Sequence, residues 1–215
     1  TSTWTQIRAR FVNVANATPV TPFTNWTMAA TSIQDAIEIA DHGDLVVVSN
    51  GVYAVGGKAI ASDLTNRVAL DKAVTVTSVN GAEFTIVQGA WDAATNGPAA
   101  ERCAWVGNWA TLSGFTLHGG ATRSSGDINT LQSGGGVWGL SQNAFARDCI
   151  ISNNAALQSG GGVFGGALFN CTVANNRATD GGGAYRADLT QCIVRGNLGY
   201  RYGGGINSCQ ARSTL

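Results

Sequence analysis

Three consecutive glycines begin at Gly134, Gly160, Gly181 and Gly203, at intervals of 26, 21 and 22 residues. Other residue types recur in step with them. Cys149, Cys171 and Cys192 are 22 and 21 residues apart, and each opens a short apolar run that ends in asparagine, as in CIISNN, CTVANN and CIVRGN. Asn154, Asn176 and Asn197 therefore form a further column. Self-similarity at a period in the low twenties is the signature of a solenoid, in which each unit buries its apolar surface only against the next.

The content of the repeat decides which solenoid. Each unit holds short β-prone runs such as GVFG and LFNCTVA, separated by Gly, Asn and Asp, with no helical period between them. About 22 residues at ~3.3 Å each make one turn of roughly three short strands. Stacked turns set equivalent residues ~4.8 Å apart, so identical residues form ladders. A buried asparagine at a turn can have its amide satisfied by the asparagines above and below it. The expected fold is all-β, a right-handed parallel β-helix with coils of about 22 residues.

Composition narrows the function. At 215 residues the chain is one domain by length. Its 29 glycines suit a turn-dense coil, while 13 basic against 13 acidic residues and only 12% charged argue against nucleic acid or an anionic membrane as partner. The two lysines, Lys58 and Lys72, make a basic binding surface less expected still. No run approaches 18 apolar residues, so no membrane span is expected. The opening TSTWTQ lacks a basic and apolar signal, and INSCQARSTL stops before the next expected strand. The reading is a module from a longer protein. Of the five cysteines, Cys149, Cys171 and Cys192 share a column with Phe115, because FTLHGG aligns with CIISNN; an inward apolar stack follows. CxxC spacing is absent, so zinc is not expected, and a pairing of Cys103 with Cys209 is not readable.

The first part is not repetitive. In SIQDAIEIADHGDLVVVSNGVY, Ser32 is a candidate helix cap, and Ile33, Ala36, Ile37 and Ala40 recur at helical spacing. LVVVS then reads as a continuous buried strand. An amphipathic helix here would close the open end of the solenoid. The chain is thus divided into a cap and first strand (residues 1–50), irregular early coils (51–132) with strands at AVTVTSVNG, FTIVQG and CAWVG, and regular coils (133–215). His42 and Asp44 are read as a capped turn rather than as chemistry.

IQDAIEIADHGDLVVVSNGVY together with the GGG, Cys and Asn coils resembles the pectate-lyase-like β-helix superfamily, over most of the chain from about Phe11. That superfamily includes polysaccharide lyases, glycoside hydrolases, esterases, adhesin stalks and a carbohydrate-binding family, so fold alone does not settle function. The resemblance still favours a glycan ligand. A lyase implies a calcium-binding carboxylate cluster with a basic residue, and a hydrolase two or three carboxylates in one cleft. The repeat region offers Asp127, Asp148, Asp180 and Asp188 at different phases of the coil, and His118 at a position filled elsewhere by Ser152, Ala174 and Arg195. Convergence is not expected, so no catalytic residue and no metal ligand is assigned, no cofactor is expected, and structural calcium is not indicated. A structural stalk is a further alternative.

A different column points to binding. After each triplet comes Val137, Val163, Ala184 and Ile206, then Trp138, Phe164, Tyr185 and Asn207. Side chains alternate along a strand, and asparagine suits only an outward position. CAWVG adds Ala104 inside and Trp105 outside. The reading is an exposed ladder of Trp105, Trp138, Phe164 and Tyr185 beside a flat glycine floor; alternatively the column packs under a loop, or the phase is inverted. The insertion ATRSSGDINTLQ (121–132) would wall the groove, with Arg123 or Asp127 reaching sugar hydroxyls, or is a solvated loop. The chain looks like the β-helical binding family found beside xylan-degrading domains. This implies a secreted or cell-surface, non-catalytic module for xylan or a related uncharged β-glycan, tethered to a glycoside hydrolase domain.

Overall fold

The structure is a computed structural model that describes residues 7–60, 63–93 and 95–215. Three parallel sheets run the length of a right-handed β-helix. The first has eight strands and the second six, and the third has seven, its outermost strand antiparallel. One regular coil passes from the first sheet (Phe145–Arg147) to the second (Ile150–Ser152) and then the third (Val163–Phe164), and begins again at Ala167–Phe169. First-sheet strands start at Phe145, Ala167, Asp188 and Gln210, which fixes a repeat of 22, 21 and 22 residues. The earlier ones start at Leu45, Thr75 and Thr111, so the first coils carry 30 to 36 residues and the excess lies in loops.

Each short strand contributes one or two inward apolar residues per coil, and the hydrophobic core is their stack along the axis. Val76, Leu112, Ala146, Leu168 and Leu189 line it from the first sheet, and Val87, Leu117, Ile151 and Val173 from the second. Phe115, Cys149, Cys171 and Cys192 form the expected inward column, and all five cysteines are free. The corner before each cysteine is made by one residue in the left-handed region, Asp148, Asn170 and Gln191 at φ 52°, 54° and 56°. A single left-handed residue between two extended ones bends the chain sharply enough to change sheets, and Asn and Asp tolerate it better than most residues do.

The glycine triplet has three separate causes. Its first member is left-handed, with φ of 71°, 62°, 57° and 56° at Gly134, Gly160, Gly181 and Gly203. Its second lies against the backbone of the neighbouring coil: a Cβ on Gly161 would meet Arg177 O at 2.3 Å, and one on Gly182 would meet Leu198 O at 2.2 Å. Its third makes room for the asparagines, since a Cβ on Gly162 would lie 2.8 Å from the Asn176 side-chain nitrogen. Except at the last triplet, these glycines are buried. The accessible floor expected beside the rings is therefore not there; the run is a packing device between coils.

The asparagine column runs as anticipated. Asn154 donates from its backbone N and from Nδ2 to Asn176 Oδ1 at 2.9 and 3.0 Å, and Asn176 does the same to Asn197 Oδ1. The second amide hydrogen of each goes to a carbonyl of the preceding strand, Leu117, Ile151 or Val173. Each such bond contributes about 1 kcal/mol net, but leaving a buried amide unpaired would cost more. At the position of Gly120 the column lacks a side chain, and the Gly120 N–H donates to Asn154 Oδ1 instead.

The helix spans Ile33–Glu38, with Ser32 Oγ accepting from the Asp35 N–H, and it buries Ile33, Ala36 and Ile37. It packs on the first strands of the first and third sheets. Gln34 accepts from the Ala69 N–H at 2.8 Å and donates to the Ala69 carbonyl, so one side chain occupies the open edge of the strand Thr65–Leu70. Edges left open in this way would pair with other chains. Lys72 closes the other end of the helix on the carbonyls of Ile37, Glu38 and Ala40. The strand Leu45–Val48 differs from expectation: Val46 and Val48 are buried, while Leu45 and Val47 are partly exposed, because a solenoid wall has only one inner face. Asp44 is buried against Arg10 at 3.3 Å and accepts from the N–H groups of Arg8 and Asp41, and His42 accepts from the Ala73 N–H. Both therefore serve the turn.

Candidate functional site

The third sheet settles the phase of the aromatic column. Ala104, Val137, Val163 and Ala184 are in register with one another and point into the core. Their successors Trp105, Trp138, Phe164 and Tyr185 are likewise in register on the outer side, with Ala69 below and Asn207 above. Ring centroids are 5.9, 6.1 and 5.7 Å apart, and the planes are within 10° to 15° of parallel. This is offset stacking, each pair contributing about 0.5–1.5 kcal/mol beyond the area it buries.

Stacking changes what the column presents. Trp138 and Phe164 each have a ring against both faces, and Phe164 is only 8% exposed. At one end of the row the Arg186 guanidinium lies 5.2 Å from the Tyr185 ring. What reaches solvent is a rail of ring edges rather than a series of flat platforms. The 121–132 insertion lies against it, since the Trp138 indole N–H donates to the Asn129 carbonyl at 2.9 Å.

Arg123 and one oxygen of Asp127, Oδ1, bond within the protein. Arg123 donates to the carbonyls of Gly97, Pro98 and Ala100 and to that of Asp63. Asp127 accepts from the N–H groups of Thr130 and Asn129 and from the Thr130 hydroxyl. Those bonds, with the Thr130 N–H foremost, hold its carboxyl below the usual range. The other carboxylates of the repeat region are also dispersed. Asp148 accepts from Asn170 Nδ2, Asp180 pairs with Arg201, and Asp188 begins a first-sheet strand. Among the described residues, no group of three or more His, Cys, Asp or Glu is placed to hold a metal ion.

Two clefts are each lined by a tryptophan that the repeat pattern does not single out. One, of about 480 Å³, lies between Trp26 and the side chains of Asn13, Asn50 and Asn80. The other, of about 520 Å³, lies between Trp91 and the outer face of the second sheet, at Gln88, His118 and Asn153. Both tryptophans belong to loops inserted in the early coils, where periodicity carries no information. A tryptophan within the polar run GAWDAATNGP was the available signal.

No protein-family model matches the chain, and no curated protein matches it. Solved structures do match. The crystal structure of pectate lyase Pel9A aligns with a TM-score of 0.58 and 12% identity, over 88% of this chain and 48% of that one. The fold shared with it is a parallel β-helix. Pectin methylesterase PemA from Erwinia chrysanthemi aligns over 89% of this chain and 57% of its own, with a TM-score of 0.47 and 11% identity. The chain thus spans about half the length of the structures it matches. At 12% identity the likeness to the first of these is one of fold alone, and a site must be argued from the side chains of this protein.

Proposed function

We propose that this β-helix binds an uncharged plant cell-wall polysaccharide, with xylan the first candidate, and holds it without cleaving it. The observation that carries the reading is the outward aromatic column of Trp105, Trp138, Phe164 and Tyr185, one ring per coil in strict register. Trp105, Trp138 and Tyr185 are half-buried, with Phe164 buried between them, and the row's repeat of ~4.8 Å along the axis is close to the rise of an extended sugar chain. Because the rings stack on one another, a glycan lying along the rail touches edges. Each contact is then weak, and affinity comes from the number of coils engaged. Binding without turnover is supported by the carboxylates, since Asp127, Asp148 and Asp180 are each engaged by a different local partner.

Affinity electrophoresis in gels containing soluble xylan tests binding, and oligosaccharides of increasing length test the rail. The protein is expected to be retarded, with an affinity that climbs steadily from the trisaccharide to the hexasaccharide. Tyr185→Ala, at the end of the stack, should weaken retention a few-fold while the melting temperature stays close to that of the parent. Incubation with xylan should release no new reducing ends, and incubation with polygalacturonate and calcium no unsaturated product. Sustained turnover in either assay would end the non-catalytic reading.

A further inference from the structure

The geometry points to a second contact surface for neutral sugars, the cleft between the insertion at residues 89–100 and the outer face of the second sheet, with Trp91 as its aromatic platform. This rests on the glycan-binding reading above and deepens it. The cleft measures about 520 Å³, enough for a short run of pyranose rings, and Gln88, Trp91, His118 and Asn153 are among its lining residues.

Its floor is periodic along the axis. Gln88 and His118 occupy equivalent positions in two successive coils, so hydrogen-bonding side chains recur ~4.8 Å apart, and Ser152 continues the column in the next coil, beyond the cleft lining. Asn153 follows Ser152 in the left-handed conformation and is exposed, where its amide offers a donor and an acceptor together. Amide and imidazole groups suit sugar hydroxyls, which also donate and accept. Among the described residues no carboxylate lines the cleft, and its amide and imidazole groups do not call for a charged ligand.

Its wall carries what the third-sheet rail lacks. Trp91 is 45% exposed, and among the described residues no other aromatic ring stacks on it. The Arg177 guanidinium lies 4.5 Å from its ring, and Arg177 is itself fixed by donating to Thr95 Oγ1 at 2.8 Å. The indole is thus oriented before any ligand arrives, which lowers the ordering cost of binding. The loop that carries it is braced in the same way. Asp92 accepts from the N–H groups of Ala93 and Ala99, Asn96 donates to Thr122 Oγ1 at 2.9 Å, and Arg123 donates to the carbonyls of Gly97, Pro98 and Ala100. Arg123 is therefore a positioning residue for this wall.

Titration calorimetry with xylohexaose and cellohexaose, on the intact protein and on Trp91→Ala, Gln88→Ala and Trp138→Ala, tests the assignment, with melting curves alongside. Trp91→Ala is expected to raise Kd about tenfold or more, and Gln88→Ala a few-fold, while Trp138→Ala keeps the share of affinity that the cleft supplies. If the parent binds and both Trp91→Ala and Gln88→Ala bind equally well, the cleft is overturned and the glycan reading survives. If the parent binds neither oligosaccharide nor xylan, the glycan reading itself fails and takes the cleft with it. Should Trp91→Ala melt lower than the parent, Gln88→Ala and His118→Ala decide the matter, because neither side chain braces the loop: weaker binding by both supports the cleft, and unchanged binding removes it.

Discussion

The early coils and the regular coils hold themselves together in different ways. From Phe145 onward, cohesion comes from repetition: the Asn154, Asn176 and Asn197 amides, the Cys149, Cys171 and Cys192 stack, and the glycine triplets each do the same job once per coil. Before that point, where coils carry 30 to 36 residues, cohesion comes from buried arginines that each appear once. Arg67 ties Gly56, Gln88 and Glu101 together. Arg102, fully buried, donates to Asn66 Oδ1 and to the carbonyls of Thr130, Ser133 and Gly134, and burial pushes its pKa down to about 9. A guanidinium presents five donors in a rigid fork, so one residue can gather several loop carbonyls. Repetition builds a uniform rod, and single anchors let that rod carry insertions and therefore clefts.

The largest expected effect separates two kinds of glycine. In Gly161→Ala the new Cβ would meet the Arg177 carbonyl at 2.3 Å and the Gly182 carbonyl at 2.6 Å, both of them backbone of the next coil, so the two coils must be pried apart. A loss of about 3 kcal/mol or failure to fold is expected. Gly43, in the early turn, has φ +89° but nothing within 4 Å of a built Cβ. Gly43→Ala should therefore cost only the left-handed strain, about 1 kcal/mol. Urea denaturation of the two variants compares them directly. Equal losses would mean that coil-to-coil contact is not what the triplets provide.

Arg102→Ala should come next, at about 2 kcal/mol, because four acceptors lose their donor. The useful feature is where the loss appears. Amide exchange should accelerate in residues 121–134 and leave the asparagine ladder protected, since the anchor serves one insertion and local opening is not shared by the whole rod. Acceleration spread evenly over every coil would show that the two regions are not distinguishable in this way.

The same contrast decides what could be read from the chain beforehand. Columns at a fixed period are visible in sequence because each residue has equivalents that vote on its environment. Asn207 in the column of Tyr185 favoured the outward phase without excluding the inverted one, and Gly119 and Gly120 could be placed on Asn153 and Asn154. A run of glycines, however, reads alike whether it is a surface floor or the closest approach of two backbones, and only the position of Arg177 O and Leu198 O distinguishes these. The mutual stacking of Trp105, Trp138, Phe164 and Tyr185 was likewise invisible, since ring planes are set by packing rather than by register. The roles of Arg102, Arg123 and Trp91 were unreadable for the opposite reason, since each has one set of partners and no equivalent elsewhere.

The smallest expected effect is an acid response confined to the insertions. Asp92 and Asp127 each accept backbone N–H groups of their own loop, Ala99 and Ala93 for the first and Thr130 and Asn129 for the second, and both carboxyls are held below the usual range mainly by those bonds. A carboxyl whose folded-state pKa is depressed contributes stability that is present above its unfolded value, near 3.9, and is lost as pH falls through the lower folded value. The two loops should therefore loosen only in strong acid. The asparagine ladder next to them is built of amides that do not titrate. Amide exchange of Thr130 and Ala99, followed from pH 5 to pH 2 after correction for the intrinsic rate, should show protection falling in that window while Asn176 stays protected. Asp127→Asn should remove the fall at Thr130 and leave it intact at Ala99. If Thr130 loses protection between pH 6 and pH 5 instead, a group other than the Asp127 carboxylate closes that turn.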